Sequence, residues 1–233
     1  MKNLVYLIAF LAVFSCGKVK PEGDIKVQEV NVGEFSEIEG KGKFRLFWVN
    51  SNANRVDVET YPNVFDNLSI SVKDNKLFIE ESKETQGVDF YNITVYSKQN
   101  PSKISLSDSI EFNVSGEIKT DDFKLNLKNN AKFIGAVRTN RAEVDMENTS
   151  LANFKGYTKK SVVKMKDTAN LLAPYWFIDR LQINSENGTY AEVNVKDSIK
   201  GNVKNTAKFL YYNDPIRAFK IEEKAQVQNK TLN

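Results

Sequence analysis

Apolar and polar residues alternate singly through the second half of the chain, and the alternation restarts at near-equal intervals. The segments LSDSIEF, LKNNAKF, MENTSLA, MKDTANL, SENGTYA and VKNTAKF share one form, in which Asn or Asp is followed by small residues and then by a return to apolar ones. With the residue after the Asn or Asp as a marker (Ser109, Asn130, Thr149, Thr168, Gly188, Thr206), the intervals are 21, 19, 19, 20 and 18 residues. A period near twenty marks a solenoid, whose repeats cannot bury an apolar face alone and do so by stacking.

The register is sharper than the period. Three residues before the markers stand Leu106, Leu127, Met146, Met165, Ser185 and Val203, and five before stand Ile104, Leu125, Val144, Val163, Ile183 and Gly201. Between them lie Ser105, Asn126, Asp145, Lys164, Asn184 and Asn202. Period-two alternation is the signature of a half-buried strand. Beyond the marker, Phe112, Phe133, Ala152, Leu171, Ala191 and Phe209 form another apolar column, so each coil turns at the Asn/Asp and lays down a second strand. The predicted fold is all-β: a right-handed parallel β-helix with coils of about nineteen residues, the hand following from the rule for parallel crossovers. No sustained six-residue repeat supports a left-handed hexapeptide helix. Asp108, Asn129, Asn148, Asp167, Asn187 and Asn205 are then corners, where Asx residues tolerate left-handed backbone and stacked amides can bond along the column.

Residues 31–100 keep the strand character (KFRLFWV, RVDVETY, LSISV, KLFIEE, YNITVY) but lose the period, and read as earlier, irregular coils plus a cap. A hairpin or corner is expected at Asp74-Asn75. The expected organisation is residues 1–15 as a lipoprotein signal peptide, 16–30 as a tether, 31–226 as the β-helix domain and 227–233 as a polar tail.

The amino terminus supports the first of these. Lys2 precedes an apolar run from Leu4 to Phe14, right for a secretory signal and too short to span a bilayer. It ends at Ser15-Cys16, a lipobox-like junction, and Cys16 is the only cysteine of the 233 residues. Lipidation of Cys16 is therefore expected, with more than one acyl chain giving a stable membrane anchor. The expected location is the cell envelope, on an outer-membrane lipoprotein facing the periplasm or the surface.

Composition narrows the chemistry. Without histidine, Ser-His-Asp and Cys-His catalysis and His-ligated metals are excluded, and one cysteine excludes an internal disulfide or a Cys-cluster zinc site. A net charge of +3, from 33 basic and 30 acidic residues, is too small and scattered for a nucleic-acid partner.

The order of GEFSEIEGKGKFRLFWV, LSISVKDNKLFIEE, the iterated Asn/Asp-small-small corners and TAKFLYYNDP resembles the head GIN domain family of autotransporter-adhesin-like proteins, found mostly in lipoproteins and secreted proteins of Bacteroidota. The resemblance covers about residues 31–216. It implies a β-helical fold and an envelope location, and carries over no catalytic residue. The corners depart from the family in using Asn-Thr-Ala where relatives favour Ser-Gly-Ala.

Candidate chemistry is sparse. Glu143 and Asp145 share one strand face, but Lys124 and Lys164 on adjacent coils offer neutralising pairs; Asp121-Asp122 and EESKE read as solvated loop charge. A calcium site along the corner column is disfavoured because four of its six residues are neutral asparagines, so neither metal nor cofactor is expected. LLAPYWFIDR breaks the pattern: Tyr175, Trp176 and Phe177 after Pro174 form either an aromatic plug or an exposed binding platform. Asp-(Ser/Thr)-small-or-aliphatic sequences make Ser109, Thr168 and Ser198 candidate O-glycosylation sites.

The expected function is non-catalytic: a lipid-anchored envelope protein presenting an adhesion or interaction surface to a protein or glycan partner. The alternative is a carbohydrate-binding or carbohydrate-active protein on the same scaffold. A carrier of apolar ligand would need a cavity, which the Phe112/Phe133/Leu171/Phe209 column argues against by filling the interior. Oligomeric state is not legible in the sequence.

Overall fold

The computed structural model describes residues 17–222 and 224–231; the expected signal peptide and Cys16 lie outside the described residues. The first elements in chain order are β1 (Lys26–Asn31), β2 (Glu37–Gly42), β3 (Arg45–Asn50), β4 (Arg55–Thr60) and a one-turn helix α1 (Pro62–Phe65). β5 (Leu68–Lys73), β6 (Lys76–Glu81), β7 (Asn92–Ser97) and β8 (Lys103–Asp108) follow. Five long strands come next: β9 (Glu111–Leu127), β10 (Lys132–Met146), β11 (Leu151–Met165), β12 (Asn170–Ser185) and β13 (Tyr190–Val203). The chain closes with β14 (Lys208–Tyr212), β15 (Ile216–Ile221) and β16 (Gln226–Lys230).

From β9 onward the strands stack in parallel, each coil on the one before. Lys132 pairs with Glu111 behind it and Leu151 ahead, Leu151 with Asn170, Asn170 with Tyr190, Tyr190 with Lys208, and Lys208 with Gln226. The protein is thus a β-solenoid with coils of about nineteen residues. The columns read from the alternation face as expected. Ile104, Leu125, Val144, Val163 and Ile183 are fully buried, as are Leu127, Val203, Phe112, Phe133 and Leu171. The intervening Asp145 is half-buried and Lys164 exposed.

The corner column explains the period. Asp108, Asn129, Asn148, Asp167, Asn187 and Asn205 all have φ between 59° and 64°, the left-handed region that Asx residues enter at least cost. Their side chains tie the coils together. Asn129 Nδ2 donates to Asp108 Oδ1 at 3.0 Å, the Asn129 N–H to Asn148 Oδ1 at 3.2 Å, and the Asn148 N–H to Asp167 Oδ2 at 3.1 Å. Next to it runs a second ladder, in which the hydroxyls of Thr149, Thr168 and Thr206 donate to the carbonyls of Asn129, Asn148 and Asn187 one coil back. MKDTANL is a corner.

The amino-terminal half departs from a simple succession of coils. β2 lies between β6 and β8, parallel to both, and β3 lies between β7 and β9. The coil of residues 37–50 is therefore inserted between two coils made later in the chain. Antiparallel strands then close this end: β4 on β7, β1 on β4, and β5 on β6. The β5–β6 connection is the expected hairpin, with Asp74 and Asn75 at φ 51° and 62°. These antiparallel strands cover the edges of β7 and β6 and leave β1 and β5 outermost.

Two expected boundaries are corrected. Residues 18–30 are not a free tether. Val19 bridges Thr85, Lys18 pairs with Glu84 at 2.7 Å, Asn63 brackets Lys20 and Glu22, and residues 26–31 pair with β4. Polar composition was misleading because, the Lys18 ion pair aside, the segment is held through its own backbone groups, which any composition supplies. Nor are residues 227–230 a frayed tail: they belong to β16, which pairs in parallel with β14.

Candidate interaction surface

The interior of the solenoid is solid. Phe112 stacks on Phe133 at 5.8 Å between ring centroids, Phe133 meets Phe154 at 4.8 Å, and Phe154 stacks on Trp176 at 4.5 Å. Trp176 extends this aromatic file. It is fully buried, and its indole N–H donates to Thr158 Oγ1 at 2.8 Å. Of the two alternatives for this segment, Trp176 follows the plug and leaves the candidate platform. Its neighbours Tyr175 and Phe177 point the other way and are 59% and 50% exposed. Consecutive residues on a strand face opposite sides, so one segment holds both plug and platform. Pro174 enables this: β12 shifts register against β13 between Ala173 and Phe177, so the bulge adds residues without breaking the stack.

Phe177 pairs in register with Tyr157 on the coil before, and Tyr175 with Lys155. Further along the same rows lie Arg138 with Lys119, and Ala136 with Glu117. Tyr157 donates to Asp179 Oδ2 at 2.5 Å, which raises its phenol pKa, since ionisation would set two anions side by side. Arg138 Nε donates to Glu117 at 3.3 Å. On the following coils Tyr212 and Tyr190 both donate to Glu192, and the Tyr212 phenol is pushed up to about 12, chiefly by that hydrogen bond. All these phenols stay protonated donors at neutral pH. The result is an outward face of aromatic rings and polar hydroxyls, with Lys155 and Arg138 exposed beside it. Sequence reading found Tyr175 and Phe177 but missed Tyr157, although it stands twenty residues before Phe177, one coil spacing away.

The acids behave as neutralised pairs. Lys124 Nζ lies 2.9 Å from Glu143, and Lys164 Nζ lies 3.9 Å from Asp145. Asp121 and Asp122 are in β9 rather than a loop; Asn140 donates to Asp121 at 2.8 Å, and Arg141 grips both oxygens of Asp122, holding its carboxyl below the usual range. Glu81 is the exception in EESKE. It accepts the Lys43 N–H and the Thr85 hydroxyl, each at 2.9 Å, and burial leads in raising its pKa. Gly42 fills the corner register beside Asp108, so Glu81 caps the turn where no Asx side chain is present. A further ladder escaped the sequence reading: Lys128, Glu147, Lys166, Glu186 and Lys204 alternate in sign on successive coils, with Lys166–Glu147 at 3.2 Å and Lys204–Glu186 at 2.7 Å. Among the described residues no three His, Cys, Asp or Glu side chains converge as a metal site would require. Of the candidate glycosylation positions, Ser109 and Thr168 are exposed at corners and Ser198 is half-buried in β13.

The molecule is thus a filled β-solenoid whose distinctive side chains lie on its outer faces. Residues 34–215 match the family described as "Putative auto-transporter adhesin, head GIN domain", and the chain belongs to that family. Solved structures share the fold. A "putative adhesin" of Bacteroides fragilis superposes with a TM-score of 0.82 at 17% identity, covering 91% of this chain and 100% of that one. A "putative adhesin" of Parabacteroides distasonis gives 0.75 at 17% identity, covering 92% and 100%. A "putative lipid binding protein" of the same species gives 0.73 at 14%, covering 93% and 100%. No curated protein matches.

Proposed function

We propose that this head GIN protein is a non-catalytic adhesin-type solenoid, held in the cell envelope by lipid on Cys16, whose outward aromatic face contacts a protein or glycan partner. The observation that carries the contact surface is the split of the aromatic segment: Tyr175 and Phe177 stay exposed while Trp176, between them, is locked in the core. Large rings fixed on a rigid sheet lose little entropy on binding, and they can stack on a sugar face or fill a partner's pocket. Arg138 is already paired with Glu117, and Asp179 and Glu192 lie on the same face, so the charges there are balanced and the exposed rings favour a partner held by stacking and hydrogen bonds. The filled interior favours contact at the surface over enclosure of a ligand.

Replacing Tyr175 and Phe177 together by serine tests the surface, because both side chains are solvent-facing and the coil should keep its melting temperature. Loss of binding to cells or immobilised envelope glycans with unchanged stability is the expected result. Binding that survives in full refutes the assignment. For the anchor, Cys16→Ser should move the protein from the membrane to the soluble fraction; full retention refutes lipidation there.

A further inference from the structure

The lipid anchor proposed at Cys16 would be joined to the body with almost no slack, because the chain is held in place from Val19 onward. Val19 is already clamped: its N–H donates to the Glu84 carbonyl at 3.0 Å, and its carbonyl accepts the Gln86 N–H at 2.9 Å. The receiving loop is itself pinned. Asn67 bonds the backbone of Lys83 in both directions, at 2.7 and 3.0 Å, and the Thr85 side chain is tied to Glu81. The next turn is held as well, since Asn63 donates to the Lys20 carbonyl at 2.7 Å and accepts the Glu22 N–H at 3.0 Å. Cys16 precedes Val19 by three residues, a reach of at most about 11 Å even when fully extended.

The same segment carries apolar side chains that the protein leaves uncovered. Ile25 is 42% and Val27 65% exposed, with Lys20 and Lys26 exposed around them. Lys20 and Lys26 alternate there with exposed Glu22, Asp24 and Glu29, so the apolar side chains stand in a charge-balanced rim. Together with the short reach to Cys16 they suit a surface resting at the headgroup level of a bilayer.

We infer that the end of the solenoid formed by β1, α1 and the loop of residues 82–91 rests directly on a phospholipid bilayer through Ile25 and Val27. This rests on the proposed lipidation of Cys16. It inverts the role expected for residues 16–30: they hold the domain down instead of away. It also sets where the other surfaces go. Along the sheet β12 is seven strands beyond β1, in the order β1-β4-β7-β3-β9-β10-β11-β12, so Tyr175 and Phe177 stand about 34 Å up the stack, at ~4.8 Å per strand.

The test uses the acylated protein purified from its native host. The thioether at Cys16 does not react with thiol reagents, so Val27→Cys or Ile25→Cys supplies a single labelling position for an environment-sensitive fluorophore. Lys208→Cys, at the exposed first position of the otherwise buried β14, serves as the remote control. Each is reconstituted into phosphatidylethanolamine–phosphatidylglycerol vesicles with and without headgroup-nitroxide phospholipid. Loss of most of the emission at positions 25 and 27, with little loss at 208, is expected. Equal, small losses at all three positions in vesicle-bound protein overturn the inference while leaving the lipid anchor intact. Protein that lacks the acyl mass and does not bind vesicles refutes the anchor itself. A probe at 27 shielded equally with and without nitroxide lipid overturns the inference in favour of a protein seated on the open edge of β1.

Discussion

Replacing Asn148 by alanine and by glycine separates the two contributions an Asx corner makes. The residue sits at φ 59°, and its Oδ1 accepts the Asn129 N–H of the preceding coil at 3.2 Å. Its own N–H donates to Asp167 Oδ2, a bond that survives either substitution because the donor is backbone. Alanine loses the Oδ1 bond, worth about 1 kcal/mol at net value. It also keeps a Cβ in left-handed backbone, at roughly 1–2 kcal/mol, without the polar side chain that eases the strain. Glycine loses the same bond but enters this region freely, at some cost in unfolded-chain entropy. The expected losses are therefore about 2 kcal/mol for Asn148→Ala and about 1 kcal/mol for Asn148→Gly. In a chain of this size that is a fall in Tm of roughly 6 °C against roughly 3 °C. Calorimetry and urea titration followed by circular dichroism measure both. A glycine variant as unstable as the alanine one shows that backbone strain is not what asparagine relieves here. Two neutral variants would show that the corner ladder contributes nothing.

Val163→Asp should unfold the stacked coils, since it buries an unpaired charge at a fully buried position, whereas Lys164→Asp should cost under about 1 kcal/mol; equal shifts in melting temperature would refute the register. Trp176→Ala should cost about 3–5 kcal/mol by removing a buried ring, seen in urea unfolding, and a neutral result would mean Trp176 is not core. Lys166→Glu would set three carboxylates in a row with Glu147 and Glu186, and should lower Tm more at low than at high salt, as charge repulsion requires; salt-independent loss would point to packing instead. At least one of Ser109, Thr168 and Ser198 is expected to carry a glycan in the native host. Intact-mass analysis matching the acylated polypeptide alone rules that out. At Thr168 the modification would also cost its hydroxyl's bond to the Asn148 carbonyl, so Ser109 is the less encumbered corner.

Much of the solenoid was legible because a stacked parallel coil repeats its environment. Val144, Val163 and Ile183 meet the same interior at the same register, so their likeness shows directly as a column. The site was only half legible. Trp176 and Tyr175 have similar hydropathy, and which of them turns inward depends on where the bulge after Ala173 falls, a matter of pairing with β13. Tyr157 was recoverable in principle by continuing the column past the first strand of the coil. Tyr190, Tyr212 and Glu192 had no such signal, since Tyr212 stands in register with Asn194 and reaches Glu192 only diagonally across the pair of strands.

Taken alone, the sequence determined the coil length, the strand faces and the corners, because each follows from local rules: alternation for the faces, tolerance of left-handed backbone for the turns. It also carried the family resemblance. Tertiary structure alone decided the order of the first coils, in which residues 37–50 are enclosed by strands made later. It alone decided that residues 18–31 bind the body, and that the end is closed by antiparallel strands. The physical reason is common to all three. Backbone pairing is blind to side-chain identity, so a strand's partner is set by which edge is free and near when the stack assembles.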